Sequence, residues 1–152
     1  FRAIEAERYH GLDWRGWVER FAELMQWDVD LAEAGELGLH ESLRGLYPDM
    51  HRQFAEFMRT EYPRWLRELD GDRPPLSVDV FAEFVLPVLA RDRKVIFVVI
   101  DCLRLDQWRA LEPLLAPPFD VETTHYYSFL PTATPYARNA LFSGLFPGEI
   151  AA

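Results

Sequence analysis

One cysteine, no apolar run of membrane-spanning length and no basic excess: the chain is first described by what it has little of. The single Cys102 excludes an internal disulfide framework and suits a reducing compartment, and its sequence neighbours suggest a small buried residue rather than a reactive thiol. A net charge of -9 argues against a general nucleic-acid backbone binder, which shows a basic footprint. It leaves room for a metal site, because a bound cation reverses the local field and draws an anionic substrate. No segment reaches the roughly 20 apolar residues that cross a bilayer. The opening Phe-Arg-Ala-Ile-Glu lacks the basic-then-apolar order of a signal peptide. A cytoplasmic location without membrane contact is the expectation. His10, His40 and His51 show no metal-ligand spacing and read as surface or interfacial residues. The missing initiator Met, and a close at Ala151-Ala152 just after a motif, point to a segment of something longer.

What the sequence does have is apolar bulk: 49% hydrophobic and 14% aromatic residues in 152, enough for a packed core. From Asp13 to Ala34, Trp14, Trp17, Val18, Phe21, Leu24, Met25 and Leu31 recur at helical spacing, with Asp13 as N-cap and Gly35 as stop. The aromatic stripe of Trp14, Trp17 and Trp27 reads as core before it reads as a ligand platform. A second stripe runs from Leu39 to Leu69. Pro48 and Pro63 predict a short lead-in and a separate main helix over 49–69, packed against the first as a hairpin. After a turn-rich break at 70–75, Ser77 is expected to cap a third helix bent at Pro87. The three helices together form a small bundle over residues 1–92.

At Lys94 the pattern changes. Val95 to Ile100 is an unbroken β-branched and aromatic run, the signature of a strand buried on both faces of a parallel sheet. Asp101 follows at its carboxyl end, where open α/β sheets collect functional groups. A metal, a cation or backbone donors would offset the cost of its charge, or it caps the following turn through Arg104. Arg104 suits anion binding or a pair with Asp101, and Asp106 suits a helix N-terminus. Leu105–Leu115 is helical in pattern and Phe119, Val121 and Thr123 alternate as a second strand. His125 is a candidate ligand or proton carrier, or simply a strand residue.

Thr134-Pro135 then reads as N-cap and first helical residue of a short helix that stops at Gly144 and Pro147. A hydroxyl at a helix N-terminus sits where negative charge is favoured. The strand, helix, strand, helix order brings Asp101 and Thr134 to one sheet edge. There a divalent cation on Asp101 would activate Thr134 as a nucleophile toward phosphorus, with Arg104 or Arg138 holding the transferring oxygens.

Val98-Val-Ile-Asp101-Cys-Leu-Arg104-Leu-Asp106, followed by Leu130-Pro-Thr-Ala-Thr134-Pro and Ser143-Gly144, resembles the opening of a PglZ domain of the alkaline phosphatase superfamily. The aromatic-rich helices before it resemble the helical region preceding that domain in PorX-type response regulators. The resemblance implies an α+β composite: a helical linker or dimerisation region over 1–92, then the first part of an alkaline-phosphatase-like α/β domain over 93–152. It implies a zinc-dependent phosphodiesterase or phosphatase, with Asp101 as a metal ligand and Thr134 as metal-contacting nucleophile. Thr132 is the competing nucleophile. Two Zn2+ are implied per complete domain, with the remaining ligands outside these residues.

Oligonucleotides or cyclic nucleotides are the implied substrates. An upstream receiver domain, a sensor kinase, a homodimer through the helical region and control of type IX secretion are the implied context. Two rivals remain: a non-catalytic signalling and dimerisation module that binds a partner or nucleotide, and hydrolysis of phosphomonoesters or sulfate esters at the same constellation.

Overall fold

A computed structural model describes residues 9, 11–69, 71–91 and 93–150. In chain order its helices are α1 (Trp14–Ala34), α2 (Leu37–Arg67), a π-helical turn (Phe81–Val85) running into α3 (Leu86–Leu89), α4 (Leu105–Leu115), α5 (Thr134–Ser143) and α6 (Pro147–Ile150). The chain divides into two compact units, Phe1–Arg73 with Cys102–Glu122 and Pro74–Asp101 with Thr123–Ala152.

In the first unit the local signals act as the sequence predicts for α1. The Asp13 carboxylate accepts a hydrogen bond from the Gly16 N–H at 2.8 Å, which satisfies one of the orphan donors of the first turn. Gly35 ends the helix at φ 69, where an L side chain would be strained. Its N–H reaches the Ala32 carbonyl and the next N–H, of Glu36, reaches Leu31, the Schellman pattern that closes a helix.

α2 departs from expectation. It is one helix of 31 residues that runs through both Pro48 and Pro63, not a lead-in followed by a separate helix. Each proline removes a backbone donor and costs about 3 kcal/mol in an isolated helix. Leu43, Met50, Tyr62 and Trp65 are buried along the whole length, and each returns roughly 1.5–3 kcal/mol when the helix stays continuous.

The hairpin core is made by Trp17 and Leu24 of α1 with Leu43 and Met50 of α2, ringed by Trp27, Leu31, Phe54 and Phe57. Trp17 meets Phe54 edge-on at 5.2 Å, so this part of the aromatic stripe is core. His40 Nε2 lies 2.6 Å from Asp28 Oδ1 and ties α2 to α1, while the His51 ring stacks on Tyr47. His10 lies outside the described residues. α4 also lies against α1.

The second unit corrects the expected α+β architecture. Among the described residues there is no β-strand, only a single parallel bridge between Leu76 and Tyr127. A strand needs a ladder partner as well as β-propensity, and neither 95–100 nor 119–123 has one among those residues. Residues 95–100 do keep a period of two. Val95 and Phe97 are half-buried, while Ile96 and Val98 are 90% and 69% exposed, so one face is covered where two were expected. Cys102 is likewise exposed rather than buried, at φ 60 in the turn that follows.

Ser77 caps no helix; the π-helical turn begins at Phe81 behind Val80. Its hydroxyl is used elsewhere in the unit. No helix among the described residues is long and apolar enough to cross a membrane.

Tyr47 offers a test of the hairpin. Burial, with the charges of Asp28 and Asp106 adding to it, pushes its hydroxyl up to about 12. The folded state therefore holds a proton that the unfolded chain loses near pH 10. Stability from this group is present below pH 10 and is lost as pH rises from 10 to 12. Its hydroxyl is buried without a hydrogen-bond partner, so Tyr47→Phe removes an unsatisfied group. Urea unfolding of Tyr47→Phe should show equal or higher stability at pH 8, and an alkaline decline shallower than wild type by roughly 2 kcal/mol. An unchanged alkaline slope would contradict this environment.

Candidate functional site

The site starts from the segment after the Pro74-Pro75 turn. Leu76, Ser77, Val78 and Val80 are buried, and this strip seats the chain that leads to α5. The Tyr127 N–H donates to the Pro75 carbonyl at 2.8 Å, and the Phe129 N–H donates to Ser77 Oγ at 2.9 Å. Ser77 is 1% exposed, so this hydroxyl satisfies backbone polarity inside the unit. The chain then passes a cis Leu130–Pro131 bond and enters α5.

The helix start is one residue earlier than the Thr-Pro signal suggests. Ala133 is the N-cap, with extended φ and ψ, and its carbonyl accepts from Tyr136 and Ala137. Thr134 is thus the first helical residue and Pro135 the second. Proline is tolerated there because the first-turn N–H groups have no intrahelical acceptor. The consequence for Thr134 is chemical: its hydroxyl does not cap the helix and serves another partner.

That partner is Asp101. Thr134 Oγ1 donates to Asp101 Oδ2 at 3.2 Å, across 33 residues of sequence. Aromatic packing brings the two together. Phe97 meets Phe81 edge-on at 6.2 Å and Phe142 of α5 edge-on at 5.4 Å, which holds residues 95–100 against the helix whose first turn carries Thr134. α5 is seated by buried Ala140 and Leu141 and ends at Gly144, φ 66. A Cβ at Gly144 would lie 3.5 Å from the Val78 carbonyl, so space permits a side chain there and backbone conformation disfavours one.

Arg104 belongs to the first unit. Its guanidinium takes Asp106 as a bidentate partner, at 2.9 and 2.7 Å, and this holds the Asp106 carboxyl below the usual carboxylate range. Its N–H donates to Gln107 Oε1 at 3.0 Å at the start of α4. Thr132 and Arg138 are exposed, and Arg138 stands four residues after Thr134, on the same helical face. His125 is half-buried. The two residues that sequence reasoning missed are Ser77 as a backbone acceptor and Phe97 as an anchor. For the second, the available signal was that Phe97 is the one aromatic residue in the apolar run Val95 to Ile100.

For a metal, the observed pair is a partial fit. Two oxygens in one tetrahedral zinc shell stand roughly 3.3–3.6 Å apart, given zinc–oxygen distances of about 2.0–2.2 Å. The Asp101 and Thr134 oxygens, at 3.2 Å, are close to that spacing. In such a shell they would supply two of the four donors. No group of three or more His, Cys, Asp or Glu residues that could hold a metal occurs among the described residues.

Comparison with known families places these regions. Residues 1–66 match the PorX response regulator linker domain, and residues 80–150 match the BREX system PglZ alkaline phosphatase-like domain. The order, linker region then PglZ region, is that of a PorX-like regulator, as the motifs implied. No curated protein matches the chain.

The seating of the 127–129 segment is testable at Ser77. Ser77→Ala removes a buried acceptor of the Phe129 N–H and should cost about 1–3 kcal/mol in urea unfolding. An unchanged midpoint would mean that this hydrogen bond does not hold the segment.

Proposed function

We propose that this PorX-like regulator chain contributes two residues of a metal-dependent phosphodiesterase centre, Asp101 as a metal ligand and Thr134 as the nucleophile. The observation that carries the reading is the Thr134 hydroxyl set against the Asp101 carboxylate at the first turn of α5. The match of residues 80–150 to an alkaline phosphatase-like domain supports metal dependence, and zinc accepts a carboxylate oxygen such as that of Asp101 as a ligand. A bound cation supplies the charge that favours the alkoxide form of a threonine hydroxyl at neutral pH.

The chain's own residues do the rest of the positioning. Asp101 Oδ2 accepts the Thr134 hydrogen bond and so fixes the side-chain rotamer that presents Oγ1. The N-terminal turn of α5 favours negative charge at that oxygen and at a phosphoryl group bound to it. In the step itself the Thr134 Oγ1–phosphorus bond forms as the ester P–O bond breaks, and the hydroxyl proton passes to solvent. The departing alkoxide takes a proton from solvent and leaves as the alcohol; water then attacks phosphorus, the Thr134 Oγ1–phosphorus bond breaks, the phosphomonoester is released and the Thr134 hydroxyl is restored. Arg138, exposed on the same face, holds the non-bridging oxygens; Arg104 has its charge already matched by Asp106.

Oligonucleotides or cyclic nucleotides are the proposed substrate class. A receiver domain with its sensor kinase, a homodimer through the helical region and control of type IX secretion form the proposed regulatory setting. They rest on the PorX-like order of the two matched regions.

The test uses a full-length PorX-type regulator carrying this sequence, loaded with zinc and assayed on bis(p-nitrophenyl) phosphate and a cyclic dinucleotide. Thr134→Ala should lower kcat at least about a hundredfold with zinc retained, while Thr132→Ala stays within a few-fold of wild type. Asp101→Asn should lower zinc content together with turnover. Intact turnover in Thr134→Ala would remove the nucleophile assignment. A zinc-loaded protein that hydrolyses no phosphoester would establish the binding-module reading instead.

A further inference from the structure

The π-helical turn Phe81–Val85 stands beside the candidate site, and such turns are rare enough to need a cause. Pro87 supplies one: it has no N–H to give the Glu83 carbonyl, as an α-helix would require. The Leu86 N–H reaches five residues back instead, to the Phe81 carbonyl. The wider turn changes what can be packed. Val80 and Val85 are both buried, although in an α-helix residues five apart point about 140° away from each other. The same turn sets the half-buried Phe81 ring edge-on to Phe97.

Phe97 therefore stands between two rings, each at 78° to its own plane: Phe142 on α5 and Phe81 on the turn. Residues 95–100 have no ladder partner among the described residues, so ring packing does the work that strand hydrogen bonds would otherwise do.

Two pins hold this segment along α5. Phe97 meets Phe142 at one, and Asp101 accepts from Thr134 at the other. The two residues of α5 are eight apart in sequence, about 12 Å along a helix. The two of the extended segment are four apart, about 13 Å along a strand-like backbone, and a period of two puts them on the same face. The spans agree. The polar pin is a single exposed hydrogen bond at 3.2 Å, weak by itself. The aromatic pin thus sets the register, and Phe81 is the ring that fixes it from outside the pair.

We infer that Phe81, presented by the π-helical turn, is a positioning residue of the candidate site: through Phe97 it holds the Asp101 carboxylate in register with the Thr134 hydroxyl. Its side chain has no polar atom to offer a reaction, so its effect is on geometry. The kinetic consequence rests on the phosphodiesterase reading of the site; the positioning does not.

The χ1 angle of Thr134, read from three-bond scalar couplings in the 152-residue chain, reports this register without turnover. Wild type should show one rotamer and Phe81→Leu an average over two or more, while Phe81→Tyr, which keeps the ring, should restore the single rotamer. Phe84→Leu is the control, because Phe84 is exposed on the same turn, and it should leave the rotamer single. In the zinc-loaded full-length regulator, Phe81→Leu should lower kcat for bis(p-nitrophenyl) phosphate about tenfold with KM within about twofold. Averaging already in wild type, a single rotamer in Phe81→Leu, equal averaging in Phe84→Leu, or an unchanged kcat in an active regulator would each overturn the inference. A regulator without turnover would remove the reading of the site and leave the rotamer comparison to decide the positioning. If Phe81→Leu does not fold, Phe81→Met, which keeps the volume without the ring, is read in the same way.

Discussion

Phe97 is the contact on which the candidate site depends. Its ring is set edge-on to Phe81 and to Phe142, and so fastens an otherwise exposed apolar segment to α5. Each edge-to-face pair contributes only about 0.5–1.5 kcal/mol beyond the area it buries. The positional effect is larger than that figure suggests, because the next functional group along the segment is Asp101. Loss of the ring would free 95–100, whose alternate residues already face solvent, and with it the carboxylate that Thr134 donates to.

The helical unit rests on a different kind of constraint. α2 stays continuous through two prolines because its buried face is continuous, and tertiary packing outweighs the local preference to break. The same helix supplies Tyr47, half-buried in the hairpin, whose hydroxyl burial raises above its ordinary value.

The sequence made some of this legible and hid the rest for physical reasons. α1 could be read to the residue because both of its ends are decided locally, by the Asp13 carboxylate and the left-handed Gly35. α5 could be read to within one residue from Thr134-Pro135 and Gly144. Local pattern failed where long-range partners decide. The β-branched run at 95–100 signals a strand, yet strand formation needs a neighbouring backbone, and no ladder partner is present among the described residues. Ser77 looked like a cap because capping is what serine usually does before a helical pattern; Phe129, 52 residues away, claims its hydroxyl instead. Asp101 and Thr134 meet as the strand, helix, strand, helix order implies, but through the packing of Phe97 on Phe142 and with no sheet among the described residues.

The central claim is that Asp101 and Thr134 act as one oxygen pair toward a metal. Anomalous diffraction at the zinc edge, on crystals of a full-length PorX-type regulator carrying this sequence, tests it most directly. The account predicts a zinc peak about 2.0–2.2 Å from both an Asp101 carboxylate oxygen and Thr134 Oγ1. Zinc bound with neither residue in its shell, or coordinated through Thr132 with Thr134 turned away, would contradict it.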